Sequence, residues 1–178
     1  MDEAVIGAVS RPEPVLTGSW LTVIGGMLDF HRATLGWKCS GLTDAELRRR
    51  PLASGLSLLG LLRHLQGAER YWFGVRIGGT SPTFHPYRTY RTEQGKEWYD
   101  EADPTSASEV YADYLAACAE SRAVFQRLGE ADLDRIVDND EFGPASVRFV
   151  LAHLVEEYAR HVGHADLLRE AIDGTTGE

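Results

Sequence analysis

The sequence predicts an all-α protein, an antiparallel four-helix bundle with a long loop between its second and third helices. Apolar residues recur at three- and four-residue spacing in four long stretches, as one buried face per helix requires, and no long stretch alternates with the two-residue period of a strand. Helices of this kind bury their stripes best against one another. At 178 residues the chain falls in the size range of one domain, able to close a core without disulfides or a structural metal. Residues 1–178 are therefore expected to form a single bundle domain.

Residues 1–16 carry Pro12 and Pro14 with little periodicity and read as an N-terminal arm. Thr17 or Ser19 can cap the first helix, whose apolar face runs through Trp20, Val23, Ile24, Met27, Leu28, Phe30 and Leu35 to about Lys38; Gly41 stops it. Thr43 with Glu46 three residues on forms a capping box for a short helix that ends before Pro51. Ser57 opens the second long helix, through Leu58, Leu61, Leu62, Leu65, Ala68, Trp72 and Phe73 to Gly78 and Gly79. Residues 80–104, with Pro82, Pro86 and Pro104, read as a long connection and a potential lid. Ser106 or Ser108 caps a third helix to about Leu128, with Val110, Tyr114, Ala117, Cys118, Val124, Phe125 and Leu128 inward. An acidic loop follows, with a short extended piece expected at 135–137. Ser146 starts the last helix, which follows Val147, Val150, Leu151, Leu154, Tyr158 and Leu168 to Gly174.

The formal charge of -9 and a pI near 5.1 argue against nucleic acid and anionic membrane surfaces as partners, since both demand clustered Lys and Arg. The one basic run, Arg48 to Arg50, follows Asp44 and Glu46 as the polar face of a short helix would. Cys39 and Cys118 form no C-x-x-C pair and read as two reduced thiols. With no basic leader ahead of an apolar stretch and no run of about 18 apolar residues, the protein is expected in the cytoplasm.

The last helix carries the chemistry. On a wheel with His153 at zero, Glu157 falls near ~40°, His161 near ~80° and His164 near ~20°, while Val150, Leu154, Val147 and Tyr158 span roughly 60° to 140°. The polar stripe thus borders the core, and Glu156, Ala159, Arg160, Gly163 and Glu170 take the solvent side. A carboxylate and an imidazole four residues apart can both reach one ion without breaking the helix, and Glu157 with His161 meets that spacing. Bundles build metal sites from such inward groups on facing helices, so a third ligand should come from elsewhere; His64, sharing a side with Leu61, Ala68 and Trp72, is the candidate. The same residues admit a plainer reading, in which a buried His donates to a carbonyl and the Glu pairs with Arg. Glu69 falls at ~140° from His64, among Leu58, Leu62 and Leu65, and an inward carboxylate there needs a partner such as Arg32 or Arg148.

The stretches LLGLLRHL (58–65) with ERYWF (69–73), and VEEYARHVGHADLLRE (155–170), resemble the DinB-like (DinB/YfiT) metal-binding superfamily, and within it an uncharacterised actinobacterial branch. The resemblance covers about residues 17–178. It implies a four-helix bundle with one divalent metal, held by a His of the second helix and two ligands four apart on the last, here His64, Glu157 and His161. Many members carry His at the position of Glu157, but the bundle of the mycothiol-dependent maleylpyruvate isomerases uses His, Glu and His, as this chain does. His164 stands where many members have Gln, which makes it a candidate for contact with substrate or support of a ligand, and it is taken as the catalytic candidate. His153 reads as packing or support.

Two imidazoles and a carboxylate leave coordination positions open, as catalytic sites do. Zinc suits the set best, with nickel, iron or manganese as alternatives. Such an ion can hold a thiol as thiolate or acidify a bound water. The resemblance favours the thiol route: transfer of mycothiol or a similar thiol to a small electrophile, or an isomerisation dependent on it. Trp72, Tyr87 and Trp98 are then either packing or walls of the substrate pocket. Because the isomerase relatives carry a further C-terminal domain, thiol recognition is expected from the bundle, the long connection or a second subunit, and a homodimer is open. A metal-dependent hydrolase and a non-catalytic, stress-related metal- or ligand-binding bundle are the alternatives.

Overall fold

The computed structural model describes residues 3–80, 105–138 and 143–177. Helix α1, Trp20–Cys39, is capped by Ser19, whose side chain accepts from the Thr22 amide. Beyond its end Gly41 sits at φ +76° and donates its N–H to the Ile6 carbonyl, while Val5 donates to Leu42. The N-terminal arm is thereby stitched to the turn and Ile6 lies in the core. Helix α2, Asp44–Arg48, has both halves of the Thr43/Glu46 capping box. Asp44 also accepts the Ala107 amide at 2.8 Å, which ties α2 to the next long helix but one.

Helix α3, Leu58–Glu69, opens on Ser57 and is buried along its whole length. The chain then continues as a π-helix over Arg70–Ile77. There the Gly78 amide reaches back five residues to Phe73, and a Cβ at Gly78 would stand 2.8 Å from the Gly74 carbonyl oxygen, so only glycine allows that approach. Residues 81–104, which hold nearly all of the expected long connection with Tyr87 and Trp98, lie outside the described residues. Helix α4, Ala107–Phe125, starts at a Ser106/Glu109 capping box. It ends three residues before the expected Leu128, because the Arg127 and Leu128 amides bond three residues back in a tightened final turn. A two-residue strand β1, Ile136–Val137, pairs antiparallel with β2, Ala145–Ser146, and Ser146 then caps helix α5, Val147–Asp173. Gly174, at φ +79°, closes α5.

Side-chain pairs fix the direction of each long helix. Asp29 of α1 meets Arg122 of α4 at 2.8 Å and Gly25 faces the Phe125 ring, so these two run antiparallel. His64 of α3 faces His161 of α5, and Trp72 faces His153, again antiparallel. Trp20 lies against Arg148 and Lys38 against Asp166, so α1 and α5 are parallel. Ser121 donates to the Glu69 carbonyl and Phe73 meets Phe125, so α3 and α4 are parallel as well. The expected antiparallel bundle is therefore antiparallel across two faces and parallel within the other two, and residues 78–106 are long enough to serve as the crossover such a bundle requires. No helix among the described residues is long and apolar enough to cross a membrane.

Candidate metal centre

The antiparallel pairing of α3 and α5 sets His64 opposite one turn of α5. His161 and Glu157 occupy that turn, four residues apart. One ligand atom from each of the three lies within 4.8 Å of the others. Glu157 Oε2 is 3.3 Å from His161 Nε2 and 3.7 Å from His64 Nε2, and the two imidazole rings are 4.4 Å apart at 68°. Ligand atoms about 2.0–2.2 Å from a tetrahedral ion stand roughly 3.3–3.6 Å from each other, so the separations from Glu157 fit such an ion, as does the donor set of two imidazoles and one carboxylate. His64 and His161 are buried, whereas Glu157 lies at the bundle edge with its side chain 17% exposed.

The electrostatics point the same way. Hydrogen bonds from His161 and then His64 hold the Glu157 carboxyl well below the usual carboxylate range against the opposing effect of burial. It stays ionised and available as a ligand. His161 turns Nε2 toward Glu157 and Nδ1 toward His164 Nδ1, 3.3 Å away. His164 therefore meets the far ring nitrogen of the His161 imidazole, and burial followed by the neighbouring His161 and Arg160 lowers its own pKa. His153 faces the other carboxylate oxygen: its Nε2 is 3.6 Å from Glu157 Oε1, and its Nδ1 is 3.2 Å from Glu156.

His153 also lines a cleft of about 500 Å³, together with Trp72, Arg76, Pro144, Ala145, Ser146 and Phe149. Trp72 thus has one of the placements expected for it. Arg76 and Phe149 gave no signal in the sequence. Arg76 matters through backbone carbonyls that it reaches only in the fold, those of Val137 and Gly143.

Glu69 is fully buried and resolves the open choice of partner in favour of Arg32, which grips it through Nε at 2.7 Å and a terminal nitrogen at 2.8 Å. Tyr158 donates to the same carboxylate at 2.6 Å. Arg148 instead meets Asp134 at the surface. Both cysteines are free and buried. Burial pushes Cys39 up to about 12 and Cys118, further raised by Glu69, to about 11, so both stay thiols at neutral pH.

This bundle, with a His/Glu/His cluster bridging α3 and α5, is a member of the DinB/YfiT-like class. The family model described as mycothiol S-transferase matches residues 23–174, a span that contains every residue of the cluster. The chain belongs to that family. Among solved structures it is similar to a conserved protein from Enterococcus faecalis, at 14% identity and a TM-score of 0.65, over 89% of this chain and 100% of that one, a likeness of fold alone. No curated protein matches the chain.

Proposed function

We propose that this protein is an enzyme that joins a low-molecular-weight thiol of the mycothiol type to a small electrophile, by S-transfer or a thiol-dependent isomerisation. The observation that carries the reading is the His64/Glu157/His161 cluster, with two buried imidazoles and a half-buried carboxylate, in a chain of this family. His64, Glu157 and His161 would hold one divalent ion, for which zinc is best suited, and when bound that ion supplies the Lewis acidity that keeps a thiol as thiolate near neutral pH.

The chain's own groups do the rest. Neither Cys39 nor Cys118 can act as the sulfur nucleophile, because both are buried and protonated, so the reacting thiol comes from solution. Glu157 brings one negative charge to the cluster at neutral pH. His164 holds His161 in the orientation that aims Nε2 at the centre and in this reading is a positioning residue rather than the acid or base. His153 lines the cleft and lies 3.6 Å from Glu157, so it adjoins both the electrophile's space and the cluster.

The test is to mix zinc-loaded protein with mycothiol and a panel of electrophiles and to follow adducts by mass spectrometry. Wild type should form adducts at least about 100-fold faster than His64→Ala. Equal rates in the two proteins would refute the proposal, and turnover of an ester or amide panel without adducts would replace it with hydrolysis by a bound water.

A further inference from the structure

We infer that the cleft beside the cluster selects planar aromatic electrophiles, an assignment that rests on the thiol-transfer reading above and adds the substrate class. Phe149 and His153, one turn apart on α5, both line the cleft with ring planes within 3° of parallel and centroids 5.9 Å apart, which gives one wall rings of a single orientation. Trp72 from the π-helix meets His153 edge-on, 4.8 Å away at 72°, and closes the cleft at nearly a right angle. Phe149 is 56% exposed, a large ring face left uncovered on that wall.

The opposite rim is built to stay in place. Arg76 is buried, its guanidinium lies 5.4 Å from the Trp72 ring centre, and it donates to the Gly143 carbonyl at 2.8 Å and the Val137 carbonyl at 3.2 Å. The hairpin carrying Pro144 and Ala145 is thereby tied to the π-helix that carries Trp72. A slot with parallel ring faces on one side and a fixed rim on the other accepts a flat body better than a puckered one, and stacking on a ring adds about 0.5–1.5 kcal/mol beyond area burial.

Chemistry assigns the occupant between the two reactants. The Trp72, Phe149 and Pro144 surfaces suit an aromatic ring better than the hydroxyls of a sugar-linked thiol, for which the lining offers Arg76, Ser146 and His153 as polar partners. The volume falls in the range of small-molecule sites. His153 belongs both to the slot and, 3.6 Å from Glu157, to the edge of the ligand cluster, so a ring in the slot lies beside the thiol's place. For an aryl halide the thiolate sulfur attacks the ring carbon bearing the halogen. The carbon–sulfur bond forms, the carbon–halogen bond breaks, halide leaves with the electron pair, and the proton of the thiol goes to solvent.

The slot is tested without thiol or metal by titrating the full chain with nitrobenzene and with nitrocyclohexane, which share a substituent but differ in flatness, using calorimetry or ligand-observed NMR. Nitrobenzene should bind about tenfold more tightly, Phe149→Ala should remove that preference, and Phe149→Tyr should keep it. With mycothiol and 1-chloro-2,4-dinitrobenzene, Phe149→Ala should raise KM about tenfold with kcat largely kept. Equal binding of the two probes, or a preference untouched in Phe149→Ala, overturns the inference even if thiol transfer occurs. A preserved preference for nitrobenzene in a protein that forms no adducts supports the slot and overturns the thiol-transfer reading instead.

Discussion

Glu69 and Glu157 both point from the helices into the α3/α5 side of the bundle, and the chain provides for them in opposite ways. Glu69 is fully buried and receives two bonds from Arg32 and one from Tyr158, all between 2.6 and 2.8 Å. Burial alone would push the Arg32 guanidinium down, and the Glu69 carboxylate overrides it and raises it well above its ordinary value. Glu157, one residue before Tyr158, is surrounded by three imidazoles at 3.3 to 3.7 Å. No Arg or Lys is among these partners, so Glu157 lacks the guanidinium that Glu69 has. One carboxylate is satisfied by a guanidinium of the chain. The other sits in a His/Glu/His cluster that could hold a metal ion.

The same isosteric change at the two positions should therefore have unlike costs. In metal-free protein Glu69→Gln leaves the buried Arg32 charge uncompensated and should cost about 3–5 kcal/mol. Tyr158→Phe removes one donor from Glu69 and should cost about 1–2 kcal/mol. Glu157→Gln should change stability by less than about 1 kcal/mol, because its side chain lies at the partly exposed edge and leaves no buried guanidinium behind. Urea unfolding with unchanged m-values gives the ranking, and a Glu157→Gln cost equal to that of Glu69→Gln would dissolve the contrast. The sign with pH follows from the depressed carboxyl: Glu157's contribution is present above the ordinary carboxyl range and is lost as the pH falls through its lowered value. The gap between wild type and Glu157→Gln should accordingly narrow in acid.

Much of this was legible in the sequence because it depends on helical period alone. Ser57, Ser146 and the Thr43/Glu46 box mark helix starts by local chemistry, and each caps its helix in the fold. The wheel placed Glu157 and His161 on the border of the core, and Glu156, Ala159, Arg160, Gly163 and Glu170 are exposed as it required. Partners across helices were less legible. Glu69 demanded a cation, but Arg32 and Arg148 were equivalent until the parallel packing of α1 and α5 placed Arg148 at the far end beside Trp20. The π-helix adds a residue to a turn without changing which residues are apolar, so periodicity cannot reveal it. Ile6, a single apolar residue without repeat, gave no hint of its burial.

The central claim is that Glu157 awaits a cation shared with His64 and His161, and titration of zinc into metal-free protein at neutral pH tests it most directly. Calorimetry should give one site per chain, weakened more than about 100-fold in His64→Ala, in His161→Ala and in Glu157→Gln, and weakened in wild type in acid, where protons compete with the metal for its ligands. Absence of stoichiometric binding, or equal affinity in wild type and the three variants, would contradict the account.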